Sequence, residues 1–128
     1  MRVLVDTHAF FWWVIDKPKL SARARALLVE EDNEVFVSAV VAWELATKAR
    51  LGKWPQALPI ATNIASVIAD NRFTALTITI EHARTAGLLA GAHRDPFDRM
   101  LAAQSQVEGM PLVSADPVFR GFGTAVMW

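Results

Sequence analysis

Arg2-Val3-Leu4-Val5, then Asp6-Thr7-His8-Ala9, then Phe10-Phe11-Trp12-Trp13-Val14-Ile15 is the stretch from which the fold can be read. The first four residues have the length and apolar character of a buried strand. The aromatic block that follows reads as helix and is closed by Asp16-Lys17-Pro18. A strand feeding a helix recurs along the chain. Ser21 is placed to cap a helix over Ala22 to Glu31, and Glu34 to Val37 reads as a second strand. Ser38 caps a third helix running through Val41, Glu44, Leu45 and Lys48 to Leu51, with Gly52 where a left-handed residue is wanted. Trp54-Pro55 and Leu58-Pro59 mark a loop. Ile60 to Asn71 carries apolar residues at one helical face, Phe73 to Thr77 reads as a strand, and Glu81 to Leu89 as another helix. Asp95-Pro96 opens a helix from about Phe97 to Glu108 that Gly109 ends. Pro111 to Ser114 is a short strand, and Gly121 and Gly123 precede a last strand around Ala125 to Met127. Strands separated by helices of this length imply right-handed crossovers. The expected class is therefore α/β: a three-layer α/β/α sandwich around a mainly parallel sheet.

The 128 residues, 53% of them apolar and 20% charged, suit one domain over residues 1–128 with a full core. No apolar run approaches the roughly 18 residues of a membrane span, so no signal peptide, anchor or membrane partner is expected. Cysteine is absent, which excludes disulfides, a thiolate zinc site and a thiol nucleophile, and a cytoplasmic location is the working expectation. Thirteen basic residues balance thirteen acidic ones. A nucleic-acid partner must then be argued from a local site, because a basic domain is the usual starting point for that argument.

In an open parallel sheet the active crevice lies beyond the carboxyl ends of the strands, and Asp6 and Asp116 both follow a strand. Each also has a purely structural reading, Asp6 as a helix cap and Asp116, before Pro117, as an Asx-turn. In Asp95-Pro96-Phe97-Asp98 the first residue has the cap position and Asp98 the third helical one. From there the Asp98 carboxylate either folds back onto the cap or points off the helix end toward the crevice. Glu44 lies between Trp43 and Leu45 with Lys48 four residues on, either an exposed ion pair or an acid aimed into the crevice. Carboxylates gathered at one place repel one another unless a cation lies between them. Oxygen ligands without cysteine select a hard ion such as Mg²⁺ or Mn²⁺, whose chemistry is phosphoryl transfer or hydrolysis. With Asp6, Glu44, Asp98 and Asp116 neutralised in this way, 13 basic residues face 9 acidic ones, and the overall balance no longer opposes a nucleic-acid substrate.

Val3 to His8, Ser38 with Trp43-Glu44-Leu45, His93 to Gln104 and Leu112 to Asp116, taken in that order, resemble the PIN-domain family, and more narrowly its VapC-type toxins of bacterial type II toxin-antitoxin pairs. The resemblance implies a PIN-like fold and an Mg²⁺-dependent ribonuclease, with Mn²⁺ as an alternative ion. Asp6, Glu44, Asp98 and Asp116 match the family's acidic quartet as catalytic and metal-holding residues, and Asp95 is a secondary acidic position. It further makes Thr7 and Ser114 candidates to hold water or phosphate, against plain roles as turn and cap residues, and Lys48, His93, Arg94 and Arg99 candidate phosphate contacts, against ordinary surface charge. A homodimer and a VapB-like antitoxin are the implied protein partners. The aromatic cluster Phe10 to Trp13, with Trp43 and Trp54, is either core or a partner surface, with Phe11, Trp12 and Trp13 in the groove that receives the antitoxin. A phosphatase of the haloacid dehalogenase kind would need a second aspartate where His8 stands, and no Gly-x-Ser-x-Gly elbow of a serine hydrolase occurs. The alternative of a different class is a catalytically silent PIN-like module that binds RNA or a partner. Four retained carboxylates oppose it, since an RNA-binding groove gains from losing negative charge.

Overall fold

The computed structural model describes residues 1–128. Five strands, β1 (Arg2–Val5), β2 (Glu34–Ser38), β3 (Thr74–Leu76), β4 (Leu112–Val113) and β5 (Val126–Met127), form one sheet in the order β3-β2-β1-β4-β5. Every pairing is parallel, with Leu4 opposite Phe36 on one side and Leu112 on the other. Val3, Leu4, Val5, Val35, Val37, Leu112 and Val113 are buried, as a sheet covered on both faces requires. Because the chain moves outward from β1 to β3 and then returns past β1 to β4, right-handed crossovers put the connecting helices on opposite faces. The expected three-layer α/β/α architecture is the one observed.

The helices are α1 (Thr7–Val14), α2 (Ala22–Val29), α3 (Ala39–Arg50), α4 (Leu58–Thr62), α5 (Ile64–Asp70), α6 (Ile80–Leu88), α7 (Pro96–Glu108) and α8 (Val118–Gly121). Three short polar side chains start three of them. Asp6 accepts from the Ala9 N–H, Ser21 from Ala24 and Ser38 from Val40. Gly52 at φ +73 and Gly109 at φ +65 take the left-handed conformation that stops α3 and α7. No helix is long and apolar enough to cross a membrane.

Two expectations fail between α3 and β3. The segment around Trp54 to Pro59 is not a loop: Pro55 to Ala57 is a 3₁₀ turn that runs directly into α4. Both prolines sit in a first turn, where their missing N–H has no helical partner to lose. Nor is Ile60 to Asn71 one helix. The Thr62 hydroxyl and the Asn63 amide donate to the Leu58 and Pro59 carbonyls, and the backbone leaves the helical region at Asn63 before α5 begins. The strands expected at Phe73 to Thr77 and Pro111 to Ser114 are shorter than the apolar runs that announce them, and the single turn α8 is an addition to the expected elements.

Candidate functional site

Strand ends and one helix start converge on a cavity of about 160 Å³. Asp6 follows β1, Asp116 lies just beyond β4, Glu44 projects from the second turn of α3, and Asp95 and Asp98 stand at the start of α7. All five line the cavity, together with Thr7, His8, Lys48 and the buried Leu101. The parallel register explains the convergence, since β1 sits between β2 and β4 and all three end on the same edge.

The structural readings of these acids hold alongside their place in the cavity. One oxygen of Asp6 caps α1, and the other accepts from the Ser114 hydroxyl. Ser114 Oγ in turn accepts the Asp116 N–H at 3.0 Å, so one buried hydroxyl positions two acids. Asp116 makes the expected turn, accepting from the Val118 N–H. Asp95 caps α7 by accepting from Phe97 and Asp98. Asp98 does not fold back onto the cap; its Oδ2 faces His93 Nε2 at 2.8 Å. Glu44 is paired with Lys48 as the i,i+4 spacing allows, yet it is buried rather than exposed, with Lys48 Nζ and Thr7 Oγ1 each 2.5 Å from one of its oxygens.

Electrostatics make the cavity a place that wants positive charge. Burial pushes the Asp6 carboxyl up to about 7, against the opposing hydrogen bonds of Ser114 and Ala9 and with help from the charges of Asp98 and Glu44. Burial also pushes Asp98 up; His93 pulls it down, and Asp95, Glu44 and Asp116 push further. Desolvation pushes His8 down, toward its neutral form. Lys48 is the only lysine or arginine lining the cavity, and Glu44 already holds it. Five carboxylates around so small a volume, one of them retaining a proton near neutrality, form a donor set that fits a hard divalent cation. His93, Asp95 and Asp98 can each offer an atom within 4.8 Å of the others, which gives Asp95 a place in the set and adds one nitrogen to it.

The structure redistributes the other expected residues. Arg99 is not directed at the cavity: its guanidinium donates to the carbonyls of Ala86, Leu89 and His93, tying the end of α6 and the following loop to α7. Arg94 is exposed and lies outside the cavity lining. Phe11 and Trp12 line a neighbouring cleft with Trp54, but Trp13 does not share it. Trp13 turns instead toward Phe73 and donates to Asn71. The supposed single aromatic groove is thus divided, because helical spacing sends residues 12 and 13 about 100° apart around α1. Trp43 stands half exposed against Phe97. His8 and Leu101 line the cavity without belonging to the expected set. For His8 the available signal was its position two residues after a strand-end aspartate.

The PIN domain family model matches residues 3–124. Ribonuclease VapC22 of Mycobacterium tuberculosis is 28% identical over 118 residues, which span 92% of this chain and 89% of that protein. Among solved structures, VapBC2 of Rickettsia felis bound to a promoter DNA fragment superposes with a TM-score of 0.70 at 15% identity, covering 99% of this chain and 98% of the other. VapC20 of M. tuberculosis, a sarcin-ricin loop cleaving toxin, superposes with a TM-score of 0.64 at 18% identity, covering 96% of each chain. At those identities the two structures speak for the fold alone. The family match spans every element from β1 through α8, including the strand ends that gather the acids: the chain belongs to the PIN domain family.

Proposed function

We propose that the protein is a divalent-metal-dependent endoribonuclease, the toxin of a toxin-antitoxin pair, that hydrolyses RNA phosphodiester bonds in the cytoplasm. The observation that carries this reading is the convergence of Asp6, Glu44, Asp95, Asp98 and Asp116 on one small cavity whose only lysine is already paired. The name of the M. tuberculosis relative, Ribonuclease VapC22, supports the reaction.

Asp6, Asp98, Asp116 and Glu44 would hold Mg²⁺ or Mn²⁺, with Asp95 beside them. When bound, such an ion supplies a Lewis acid for activating water and for stabilising the charge that builds on the scissile phosphate during in-line attack, leaving a 5′-phosphate and a 3′-hydroxyl. The chain's own groups do the positioning. Ser114 fixes Asp6 and the Asp116 backbone, Thr7 and Lys48 fix the two oxygens of Glu44, and His93 fixes Asp98. Lys48 also sets a positive charge at the cavity edge, where a phosphate oxygen would come to rest.

For partners, we propose a homodimer and a VapB-like antitoxin. The resemblance supports both, and the VapBC structures of R. felis and of nontypeable Haemophilus influenzae among the similar folds support the antitoxin. Incubating purified protein with a mixed RNA pool in Mg²⁺ and in excess chelator, then sequencing the ends, tests the reaction. New 5′-phosphate ends should form only with metal. An intact pool under both conditions would leave the silent binding module as the better account.

A further inference from the structure

Leu89 to Asp95, between α6 and α7, forms neither helix nor strand, so individual side-chain contacts decide where His93 stands. Three of those contacts converge on the ring of Phe122. The imidazole of His93 packs edge to face with it, 5.9 Å between ring centres at an angle of 71°. Arg99 donates to the His93 carbonyl at 3.0 Å, and its guanidinium lies 5.6 Å from the centre of the same phenyl ring. Gly91 comes close as well, at φ +117, where a β-carbon would stand 3.7 Å from the ring and the backbone is one that L side chains rarely adopt.

Phe122 is itself fixed from two directions. Its N–H donates to the carbonyl of the buried Phe119 in α8 at 3.1 Å, and its carbonyl accepts from Gln106 Nε2 of α7 at 2.9 Å. The ring packs on the core and stays half-buried, which leaves one side for the loop. Neither Phe122 nor His93 lines the carboxylate cavity.

The ring reaches the cavity through one intermediate. His93 Nε2 faces Asp98 Oδ2 at 2.8 Å and is the one group of the chain that meets this carboxylate as a donor. An ionised Asp98, the form a cation needs, has no proton to give, so the imidazole donates, Oδ2 is taken and Oδ1 is left for the cation. With 37% of its side chain exposed, His93 would be free to turn into water if nothing stood beside it. We propose that Phe122 is a positioning residue of the ion site, holding the His93 ring so that His93 in turn orients the Asp98 carboxylate. Arg99 and Gly91 serve the same end by fixing the loop backbone against the ring. The proposal rests on the metal-dependent reading of the cavity and extends its support to a residue that touches neither the cavity nor the cation.

The test is Mn²⁺ binding to the metal-free full chain at one pH, read from the electron paramagnetic resonance signal of the free ion, with melting temperatures measured alongside. His93→Ala should weaken Mn²⁺ binding about tenfold or more, and His93→Gln, whose amide can still donate, should recover most of that loss. Phe122→Ala should weaken it about threefold or more in the parent and not at all in the His93→Ala background, because the ring acts only through the imidazole. Phe122→Tyr, which keeps an aromatic ring, should bind like the parent. If Phe122→Ala melts below the assay temperature, Phe122→Leu makes the same comparison, since it keeps apolar bulk and loses the ring. Unchanged Mn²⁺ affinity on losing the ring, or an equal loss in both backgrounds, would overturn the positioning role while the ion site stands. His93→Gln as weak as His93→Ala would overturn it too, and would make the imidazole a direct ligand beside Asp95 and Asp98. A parent protein that binds no Mn²⁺ would bring down the metal reading and the proposal with it.

Discussion

Lys48 Nζ lies 2.5 Å from Oε2 of Glu44, and of the two only the lysine reaches solvent. The pair is one turn of α3 closing on itself, and it gives a buried carboxylate at the edge of the cavity a cationic partner. Lys48→Ala should leave that carboxylate with Thr7 alone and cost about 1–3 kcal/mol in the metal-free protein. Glu44→Gln, which keeps the shape and loses the charge, should cost less. Chemical denaturation of both variants in chelator checks the order.

Asp6 carries the clearest pH signature. Its carboxyl moves from an ordinary 3.8 to about 7 in the fold, so between those values the folded protein keeps a proton that the unfolded chain has released. The associated stability is complete below about pH 4 and is lost as pH rises through about 7. Metal-free protein should therefore lose on the order of a few kcal/mol across that window, and Asp6→Asn should flatten the profile. Since a cation competes with this proton, apparent Mg²⁺ affinity should rise from about pH 6 to pH 8. Melting curves against pH, with and without Mg²⁺, read both effects.

Asp95 and Asp98 should separate cleanly. Asp95→Ala removes two accepted N–H bonds at the start of α7 and should cost about 0.5–2 kcal/mol while leaving some metal-dependent cleavage. Asp98→Asn relieves repulsion from Asp95, Glu44 and Asp116, so metal-free stability should hold or rise slightly, while cleavage and stabilisation by Mg²⁺ are lost. Thermal melts of both variants with and without Mg²⁺, beside one cleavage assay, decide it. If Asp98→Asn melts lower yet still cleaves, the two roles are reversed.

Arg99 is predicted to matter for architecture before chemistry. Arg99→Ala removes the donors to three carbonyls and should cost on the order of 2 kcal/mol or more. His93 is one of the three anchors and also holds Asp98, so cleavage should fall modestly while RNA affinity stays near the parent value. A large loss of RNA affinity at unchanged stability would return Arg99 to the phosphate contacts.

The features legible in the sequence are those decided locally. Asp6, Ser21, Ser38 and Asp95 announce helix starts because a short polar side chain before an apolar period has few other uses, and each is a cap in the structure. The strand-end positions of Asp6 and Asp116 follow from the same pattern. Other features depend on partners distant in sequence. Glu44 reads equally as a surface pair or as a crevice acid until the Thr7 hydroxyl, 37 residues away, closes over it. Arg99 reads as a phosphate contact or ordinary surface charge until carbonyls 6 to 13 residues earlier claim its guanidinium. The lysines of the cleft lined by Phe11, Trp12 and Trp54 come from two separated stretches, Lys17 and Lys19 from one and Lys48 and Lys53 from the other, so no run of sequence displays them together.

The central claim is that the five-carboxylate cavity holds the ion on which RNA cleavage depends, and the most direct measurement is the cleavage rate of purified protein as Mg²⁺ is titrated into a verified metal-free sample. The rate should be absent at the start, rise to saturation with Mg²⁺, and stay about 100-fold or more below the parent in Asp6→Asn and Asp98→Asn at every concentration. Full cleavage in excess chelator, or parental rates in Asp98→Asn, would contradict the account.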